Sequence, residues 1–346
     1  MSENYLRSIR DAINNMGHMP HLDAIAGIPE LFGVEVNNSY AKKEDASFIA
    51  TVFNMECGTR PEKIMPYLQL HPDLCNADVI LANELDYGMA RSKNRHVTRD
   101  IAEALKMNYA YGIEFITAKA GQDGNTLGWH GNAILSKYPL HNAKLVHLPI
   151  AYDWFYREND CRLGTRVAIL AEIEAAGRHI GLTCVHLENR ATPEERERQL
   201  RYLLECADAH FGDIPVLVGG DMNTNTVSGD TLGSMNVFCH NEEEQDRRMA
   251  IIPTLEPLMR CAEEFGYSYT DCNLMNKTTR RKPMPDGSTV RLNLDWFFQK
   301  GLTCSNPLRV ETIFKHTELS GQPRELAVYD GQELSDHDAI VVTCRL

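Results

Sequence analysis

The chain lacks a long apolar segment and any cysteine spacing typical of a disulfide or zinc framework. No run approaches the ~20 apolar residues that a membrane-spanning helix needs. The N-terminal Met-Ser-Glu-Asn-Tyr-Leu-Arg has no apolar signal core. The ten cysteines are scattered and contain no Cys-x-x-Cys pair, so we expect reduced, mostly buried thiols. These observations together predict a cytoplasmic protein.

The chain also lacks a glycine-rich phosphate loop and an excess of basic residues. No Gly-x-Gly-x-x-Gly or Gly-x-x-x-x-Gly-Lys pattern follows a predicted strand, which argues against a nucleotide-cofactor fold. Lys and Arg total 35 against 48 Asp and Glu, so the net charge is -13. Because non-specific nucleic-acid binding depends on basic surface, this balance disfavours long duplex DNA as the substrate. A local basic cleft would still be compatible with the overall negative charge.

Short β-branched runs, bounded by polar residues or glycine, predict a strand-rich fold. Arg166–Ile173 and His179–Val185 are separated by Ala175-Ala176-Gly177-Arg178, which is too short for a crossover helix and predicts an antiparallel hairpin. The predicted strands are Ser47–Met55, Asp78–Ala82, Asn132–Ser136, Arg166–Ile173, His179–Val185, Pro215–Gly219, Leu292–Phe298 and Ala339–Cys344.

Helical periodicity is clear in three segments. The first is the apolar stripe within 97–105, and the second opens with the capping box Thr192-Pro193-Glu194-Glu195. The third covers 254–265 and ends at Gly266. Hairpins mixed with crossover helices favour two packed sheets with helices on their outer faces over a Rossmann sheet.

The chain is predicted to hold an N-terminal extension, 1–45, and one domain, 46–346. The extension is broken up by glycine and proline and carries no chemical signature. Polar signatures spread from 54 to 337, so one domain would need both ends of this range to complete one site. Residues 224–291 read as a long polar insertion, and the charged run 241–248 within it is expected to be a solvated face or loop.

Acids, amides and histidines recur where predicted strands end. Carboxylates are costly at buried strand ends unless a cation or a reaction uses them. Residues two apart, such as Asn54 and Glu56 or Asp221 and Asn223, project to one side of an extended strand and can share a site. The pattern is what a metal-assisted phosphate-ester hydrolase needs. Its members are Asn54, Glu56, Glu84, His186, Asp221, Asn223, Asp295, Asp336 and His337.

Each signal taken alone also has an ordinary structural explanation. Glu84 would serve as a helix cap or surface group, and the Asx residues after the 215–219 strand would simply make a turn. His186 would be a satisfied structural group. Asp295 can orient the imidazole of His337, as carboxylates often do for histidines. Their joint occurrence, rather than any one of them, favours function.

Several motifs occur in a fixed order along the chain: Asn54-x-Glu56, Glu84, Gly131-Asn132-Ala133-Ile134-Leu135-Ser136, Arg166, His186-Leu187, Gly220-Asp221-Met222-Asn223, Asp295 and Ser335-Asp336-His337. This order resembles the endonuclease/exonuclease/phosphatase superfamily, which includes pancreatic deoxyribonuclease, abasic-site endonucleases, bacterial sphingomyelinases and inositol-polyphosphate 5-phosphatases. The similarity covers about residues 47–346. It implies an α/β fold, a four-layer α/β/β/α sandwich of two mixed, mainly antiparallel sheets with outer helices. One departure is Asn83 before Glu84, where many relatives have glutamine.

The resemblance implies a divalent cation, Mg²⁺ or Mn²⁺, held chiefly by Glu84. Asn54, Glu56 and Asp336 are expected to complete its surroundings. The asparagine at 83 is a shorter amide than glutamine, so the ligand geometry at Glu84 is expected to survive.

The resemblance also implies catalytic and substrate-binding roles. Asp221 and Asn223 would orient the attacking water and the scissile phosphate. His337, paired with Asp295, would contact the phosphate or act as the base, and the choice of base between Asp221 and His337 stays open. His186 would protonate the leaving oxygen. The residues expected to bind the substrate are Arg166 and Asn132.

We therefore expect a divalent-metal-dependent phosphodiesterase acting on a small or lipid-derived phosphate ester. The alternatives are a nuclease acting on DNA or RNA and, from another class, an inactive binding scaffold of the same fold. Specificity would depend on the loops 86–100, 152–165 and 224–291. The basic stretch 86–100 is either a headgroup-binding segment or the entry surface of a helix.

Overall fold

The computed structural model describes residues 21–40, 45–117, 124–156, 162–224 and 239–346. Fifteen strands lie in these ranges. They are β1 Val34–Asn37, β2 Ser47–Asn54, β3 Val79–Tyr87, β4 Asn108–Thr117, β5 Trp129–Ser136, β6 His141–His147, β7 Arg162–Gly164, β8 Val167–Ala175, β9 Arg178–His186, β10 Val216–Asp221, β11 Arg280–Pro283, β12 Thr289–Leu292, β13 Asp295–Lys300, β14 Thr303–Val310 and β15 Ala339–Arg345.

The helices of the described ranges are short except for one of 19 residues. They are α1 His21–Ala26, α2 Pro61–Leu70, α3 Val97–Leu105, α4 Pro193–Phe211, α5 Glu242–Ala250, α6 Ile252–Leu255 and α7 Pro257–Glu264. Short 3-10 turns lie at Pro29–Phe32, Glu56–Gly58, Ala90–Ser92, Trp154–Tyr156, His316–Glu318 and Arg324–Tyr329. No helix among these is long and apolar enough to cross a bilayer.

The strands form two large sheets and one small hairpin. The first sheet runs β1-β4-β5-β3-β2-β15-β14, with β7 also paired to β4. The second runs β13-β10-β9-β8-β6, and β11 pairs with β12. Only the β2–β3 and β9–β10 pairs are parallel among the described strands. Each parallel pair is joined through a helix, α2 or α4, as parallel strands require.

Three apolar layers hold these elements together. Between the sheets, side chains such as Val52 and Leu81 meet Leu182 and Phe297 from the opposite sheet. Helices α2 and α3 cover the outer face of the first sheet, and α4 and α7 cover that of the second. The predicted four-layer α/β/β/α sandwich is therefore confirmed.

The two parallel crossovers bring the chemically active strand ends to one edge of the sandwich. In the first sheet Asn54 lies opposite Asn83. In the second, His186 lies opposite Asp221. Since parallel strands end at the same edge of a sheet, residues far apart in sequence meet there.

Several predicted elements are confirmed with shifted ends. The hairpin forms between β8 and β9, with Ala175 opposite Arg178. The capping box at Thr192 and Glu195 is present with both of its hydrogen bonds. The predicted helix 254–265 is instead two helices that meet at Glu256, because Pro257 has no N–H to continue the first.

Other elements differ from the prediction for identifiable reasons. Strand β3 does not end before Glu84 but continues to Tyr87, since a register shift between Ala82 and Leu85 lets pairing with β5 resume.

Within the predicted extension, residues 34–37 add an edge strand to β4, and residues 1–20 and 41–44 lie outside the described ranges. The run 241–248 forms helix α5, whose N-cap Asn241 accepts a hydrogen bond from the Glu244 N–H. Residues 225–238 of the predicted insertion also lie outside these ranges.

The sheets approach closely beside the catalytic edge because β10 contains two glycines. A Cβ added at Gly220 would lie 1.8 Å from the carbonyl oxygen of Val185, and the residue has φ +146°. A Cβ added at Gly219 would meet side chains of both sheets, Val52 at 2.7 Å and Phe297 at 3.0 Å. The pair therefore sets the spacing on which the edge depends.

We predict that Gly220→Ala destabilises the protein more than Gly177→Ala. Gly177 also has a positive φ, +77°, but a Cβ added there would have no atom within 4 Å. The control isolates the conformational cost of about 1–2 kcal/mol, to which Gly220→Ala adds overpacking of about 1–3 kcal/mol. Urea unfolding at constant slope measures the difference. Equal midpoint shifts for the two variants would contradict the close-approach argument.

Candidate active site

Three adjacent strands of the second sheet present reactive side chains in one row. Asp221 at the end of β10 lies opposite His186 of β9 and opposite Asp295 of β13. Directly opposite residues project to the same face of a sheet. All three are buried, with exposed fractions of 2% each. The row places a carboxylate between an imidazole and a second carboxylate.

The amide of Asn54 joins this row to the first sheet. Its Nδ2 donates to Glu84 Oε1 at 3.2 Å and to Asp221 Oδ2 at 3.1 Å. Its Oδ1 accepts the Glu56 N–H at 3.1 Å, which fixes the orientation of the amide. One side chain therefore holds the two carboxylates on either side of it at a defined separation.

Glu84 occupies the irregular position of β3 and adopts φ +56°. Left-handed backbone at a non-glycine residue is costly and concentrates at functional sites. Its half-buried carboxylate receives hydrogen bonds from Asn54 and, at 3.6 Å, from the Cys57 thiol. Among the described residues no lysine or arginine forms an ion pair with it.

Burial raises the pKa of the Glu84 carboxyl, but the nearby histidines His186, His130 and His337 lower it by more. The net pKa lies well below its ordinary value, so the group is ionised at neutral pH. Glu84 thus offers an ionised carboxylate that no basic side chain of the described ranges neutralises by direct pairing.

His337 is held by carboxylates and by the turn that precedes β15. Its Nδ1 lies 2.9 Å from Asp295 Oδ2, and its Nε2 lies 3.8 Å from Asp221 Oδ2. Ser335 accepts the His337 N–H at 3.1 Å and donates to the Asn54 carbonyl at 2.7 Å, so the turn is anchored to β2. The predicted pairing of Asp295 with His337 is present in the structure.

The charges of this pair are set by their surroundings. Burial lowers the pKa of His337, but Asp295 and Asp221 raise it to about 10. Burial raises the pKa of Asp295 to about 6, against the opposing effect of His337. At neutral pH the imidazole is therefore protonated and Asp295 is ionised.

His186 belongs to a buried network with Arg166. The Arg166 guanidinium donates to Glu114 and, through Nε, to Glu188 Oε2 at 3.0 Å. Its Nη1 also lies 3.0 Å from His186 Nδ1. His186 Nε2 lies 3.5 Å from Asp221 Oδ2. Arg166 Nη1 lies 3.1 Å from His186 Nε2 as well, so the guanidinium contacts both ring nitrogens, and Nε2 also faces Asp221.

Burial and Arg166 lower the pKa of His186, whereas Glu114 and Asp221 raise it by more. The net pKa lies above its ordinary value, which favours the protonated ring. Arg166 is 6% exposed and already shares its charge with two carboxylates. Its guanidinium is consequently fixed in place rather than free to follow a substrate.

Asn132 and Asn83 form a second amide relay inside the sandwich. Asn83 Nδ2 donates to Asn132 Oδ1 at 3.0 Å, and Asn83 Oδ1 accepts the Asp221 N–H at 2.9 Å. Asn132 Nδ2 donates to Glu114 Oε2 at 3.0 Å. Asn132 has no exposed surface. These contacts make it a residue that positions Glu114 and, through Asn83, Asp221.

Asn223 turns the chain directly after β10 with φ +49°. Its N–H donates to Asp221 Oδ1 at 2.9 Å, and its Nδ2 donates to the Leu187 carbonyl at 2.9 Å. It therefore fixes one oxygen of the Asp221 carboxylate. The other oxygen, Oδ2, faces both histidines.

Glu56 and Asp336 lie at the rim, where each carboxylate has an arginine partner. Glu56 pairs with Arg60, and Asp336 pairs with Arg280 at 2.6 Å. The Asp336 N–H donates to Glu56 Oε2 at 3.2 Å, which anchors the Glu56 carboxylate to the turn before β15. Asp336 Oδ1 lies 3.9 Å from His337 Nε2.

The basic stretch 86–100 is largely neutralised by neighbouring acids. Arg91 makes two hydrogen bonds of 2.8 Å to Asp86, and Arg95 pairs with Asp100. The segment contains a 3-10 turn, Ala90–Ser92, and the first residues of α3. These contacts favour the helix-entry explanation over a headgroup-binding one.

The donors around Glu84 fit a hard divalent cation. They are carboxylate and amide oxygens, which Mg²⁺ and Mn²⁺ prefer. The Glu84 carboxylate is half-buried and without a basic partner among the described residues. Further in, Asp295 Oδ1 is buried without a hydrogen-bond partner in the described structure. Excess negative charge at this edge is what a bound cation would offset.

Sequence reasoning missed Asn83, Glu114 and Glu188. Glu114 lies in the middle of a buried strand, where an isolated acid in the run Tyr109–Thr117 was a usable signal. Asn83 directly precedes Glu84, and Glu188 directly follows Leu187. The two acids, Glu114 and Glu188, both pair with Arg166, which lies 52 and 22 positions away from them, and sequence spacing alone does not reveal such a partner.

Solved structures resemble the chain at low sequence identity. The endonuclease/exonuclease/phosphatase of Beutenbergia cavernae DSM 12333 has a TM-score of 0.54 and 16% identity, covering 87% of this chain and 72% of that one. A family protein from Leptotrichia buccalis C-1013-b has a TM-score of 0.52 and 13% identity, covering 86% and 100%. D. rerio TDP2, complexed with single strand DNA product, has a TM-score of 0.50 and 15% identity, covering 87% and 100%. At these identities the likeness concerns the fold.

No curated protein sequence gives a significant match. Residues 51–337, most of the chain, match the Endonuclease/Exonuclease/phosphatase family. The predicted superfamily is thereby confirmed, and with it the expectation of a phosphoric ester hydrolase. The chain belongs to the endonuclease/exonuclease/phosphatase family of metal-dependent phosphoric ester hydrolases.

Proposed function

We propose that the protein is a divalent-metal-dependent phosphodiesterase that acts on a small or lipid-derived phosphate ester. The observation that carries the hydrolase part is the position of Asp221 Oδ2, with Asn54 Nδ2 at 3.1 Å, His186 Nε2 at 3.5 Å and His337 Nε2 at 3.8 Å. Asn54, His186 and His337 thus surround this one carboxylate oxygen. Glu84 is linked to it through the amide of Asn54.

Glu84 would be the main ligand of Mg²⁺ or Mn²⁺, with Asn54, Glu56 and Asp336 around it. A bound divalent cation supplies charge neutralisation at a phosphoryl oxygen. Glu56 and Asp336 are oriented by Arg60 and Arg280, so they would act from the rim. Glu84, without such a partner in the described ranges, would carry the direct bond.

Asp221 would accept the proton of the attacking water. Its Oδ1 is held by the Asn223 N–H, and its Oδ2, which accepts one hydrogen bond from Asn54, has a second lone pair for the water. His337 has carboxylates at both ring nitrogens, an arrangement that favours the imidazolium. It would therefore donate to a phosphate oxygen, and Asp221 rather than His337 would be the base.

His186 would donate the proton that the leaving oxygen needs. Arg166 Nη1 contacts the His186 ring, and Glu114 and Asp221 favour the protonated state of that ring. Arg166 would contribute positive charge towards the phosphate from its fixed position. Asn132 would act through Glu114 and Asn83 rather than by touching the substrate.

Charge supports a small substrate over a long nucleic acid. The net charge is -13, and three arginines near the site, Arg60, Arg91 and Arg280, are each paired with an acid. A long polyanion gains affinity mainly from unpaired basic surface.

A nuclease is the second candidate, and one feature favours it. The exposed guanidinium of Arg190 lies 5.1 Å from the ring centre of Tyr152 and 5.3 Å from that of Trp154, four residues beyond His186 in sequence. Arginine over aromatic rings is an arrangement that single-stranded nucleic-acid sites use. TDP2, whose structure holds a single strand DNA product, has the same fold.

The proposed location is the cytoplasm. Within the described ranges the nine cysteines are reduced thiols, and Cys161 lies outside these ranges. Free buried thiols are typical of proteins from reducing compartments.

We predict that His186→Asn slows cleavage of esters with poor leaving groups by about 10²–10⁴-fold, the usual contribution of a general acid. A nitrophenyl ester should lose much less, because nitrophenolate leaves without a proton. The measurement is kcat for an alkyl and a nitrophenyl phosphodiester in parallel. An equal loss on both would remove His186 as the leaving-group acid.

We predict that choline- or inositol-type phosphodiesters are turned over faster than plasmid, abasic or single-stranded oligonucleotides in Mg²⁺ or Mn²⁺. Oligonucleotide turnover equal to that of the best small substrate would favour the nuclease over the phosphodiesterase.

We also predict that Glu84→Gln abolishes the activity on every substrate and leaves the unfolding midpoint nearly unchanged. Asp100→Asn, which removes a carboxylate of α3 that pairs with Arg95 and contacts none of the site residues in the described structure, is the matched control. A fully active Glu84→Gln variant would contradict the metal assignment.

A further inference from the structure

A second group of side chains that could hold a metal ion lies at another place in the fold. The donor atoms of Cys239, His240 and Asp286 all lie within 4.8 Å of one another. They are a sulfur, an imidazole nitrogen and a carboxylate oxygen. His240 and Asp286 come from segments 46 positions apart and meet at 3.0 Å between Nε2 and Oδ2.

The cysteine of this group is held from the protein side. Cys239 is 4% exposed and packs with the apolar side chains of β12. The fully buried Gln245 donates to the carbonyls of Cys239 and Thr289, both at 3.3 Å, and accepts the Arg291 N–H at 2.7 Å. Gln245 therefore fixes the chain at Cys239 against the β11–β12 hairpin.

The carboxylate is held by the hairpin turn. Asp286 Oδ1 accepts the Ser288 N–H at 3.0 Å and the Ser288 hydroxyl at 2.6 Å. The turn is closed by hydrogen bonds between Met284 and both Ser288 and Gly287. Only Oδ2 remains for the cluster, and it already faces His240.

We propose that Cys239, His240 and Asp286 form a zinc site at the tip of the β11–β12 hairpin. Zinc bonds of about 2.3 Å to sulfur and about 2.0–2.2 Å to nitrogen or oxygen put tetrahedral ligands roughly 3.3–3.8 Å apart. The sulfur needs to come about 1 Å closer to the other two donors, while Nε2 and Oδ2 separate slightly from 3.0 Å. Rotation of the exposed His240 and Asp286 side chains supplies both movements. Water takes the fourth position.

The binding reaction releases one proton. The Cys239 S–H bond breaks and its proton passes to solvent, so the ion receives a thiolate. His240 offers the lone pair of Nε2 with its ring proton on Nδ1, and Asp286 binds as the carboxylate. The two anionic ligands balance the charge of Zn²⁺.

The donor types separate this site from the catalytic one. A thiolate and an imidazole favour zinc, whereas oxygen ligands favour magnesium or manganese. A third cluster, Cys57, Asp86 and His130, does not compete, because Arg91 already binds both carboxylate oxygens of Asp86. Zinc in excess Mg²⁺ should therefore select the hairpin tip.

The hairpin links the tip to the catalytic turn but keeps the two sites apart. Arg280, at the base of β11, bridges to His337 and bonds to Asp336. The three steps from Arg280 to Pro283 span about 10 Å at about 3.3 Å per residue. Zinc at the tip would thus brace the strand that contacts the catalytic turn without joining the reaction.

The test loads the full-length protein with Zn²⁺ or Co²⁺ in excess Mg²⁺, removes free metal by desalting, and measures bound metal and the cobalt spectrum. Wild type should retain about one zinc that is absent from Cys239→Ser, and its cobalt form should show a thiolate charge-transfer band. His240→Ala and Asp286→Asn alter exposed residues and should also lose the ion while remaining folded. Zinc should raise the Tm of wild type but not of these three variants.

Two matched variants serve as controls. Cys206→Ser removes a partly exposed thiol outside the cluster. Asp330→Asn breaks a second surface His–Asp pair, His316–Asp330 at 2.6 Å, which belongs to no group of three metal-ligand side chains among the described residues. Both should keep the zinc. Wild type without retained zinc, equal retention by Cys239→Ser, or loss of the ion in Cys57→Ser instead would overturn the proposal.

Discussion

The architecture of the catalytic edge depends on one amide, that of Asn54, which donates to Glu84 in its own sheet and to Asp221 in the opposite one. The two sheets can be joined this way because Gly219 and Gly220 leave no side chain between β10 and its neighbours. The parallel crossovers through α2 and α4 then bring both strand ends to the same edge. Backbone packing thus fixes the distance between the Glu84 carboxylate and the Asp221 carboxylate, which faces the histidines.

Buried charge is the second constraint on the site. Carboxylates crowd this edge, and each needs a compensating group because isolated buried charge is costly. Protonated His337 compensates Asp295 and Asp221, and Arg166 compensates Glu114 and Glu188. Glu84 stands apart, since no basic side chain of the described structure pairs with it. The residual negative charge is therefore concentrated where a divalent cation would bind.

The layers and the hairpin were accessible from the sequence because each rests on local pattern. Alternation and capping predict elements such as β8, β9 and α4, and strand-end acids mark the site. The sequence did not reveal that β3 continues through a bulge at Glu84, since the bulge depends on pairing with β5. Nor did it reveal that Asn132 is enclosed between Asn83 and Glu114. Contacts of that kind depend on which strands become neighbours, and periodicity carries no information about that order.

The central claim is that Glu84, Asp221 and His337 surround one ion and one phosphate in a shared pocket. Anomalous diffraction from crystals grown with Mn²⁺ and a phosphate ester analogue tests it directly. The account predicts a manganese peak about 2.0–2.2 Å from a Glu84 carboxylate oxygen, with the phosphate between that ion and His337. A peak remote from Glu84, or a phosphate bound away from Asp221 and His337, would contradict it.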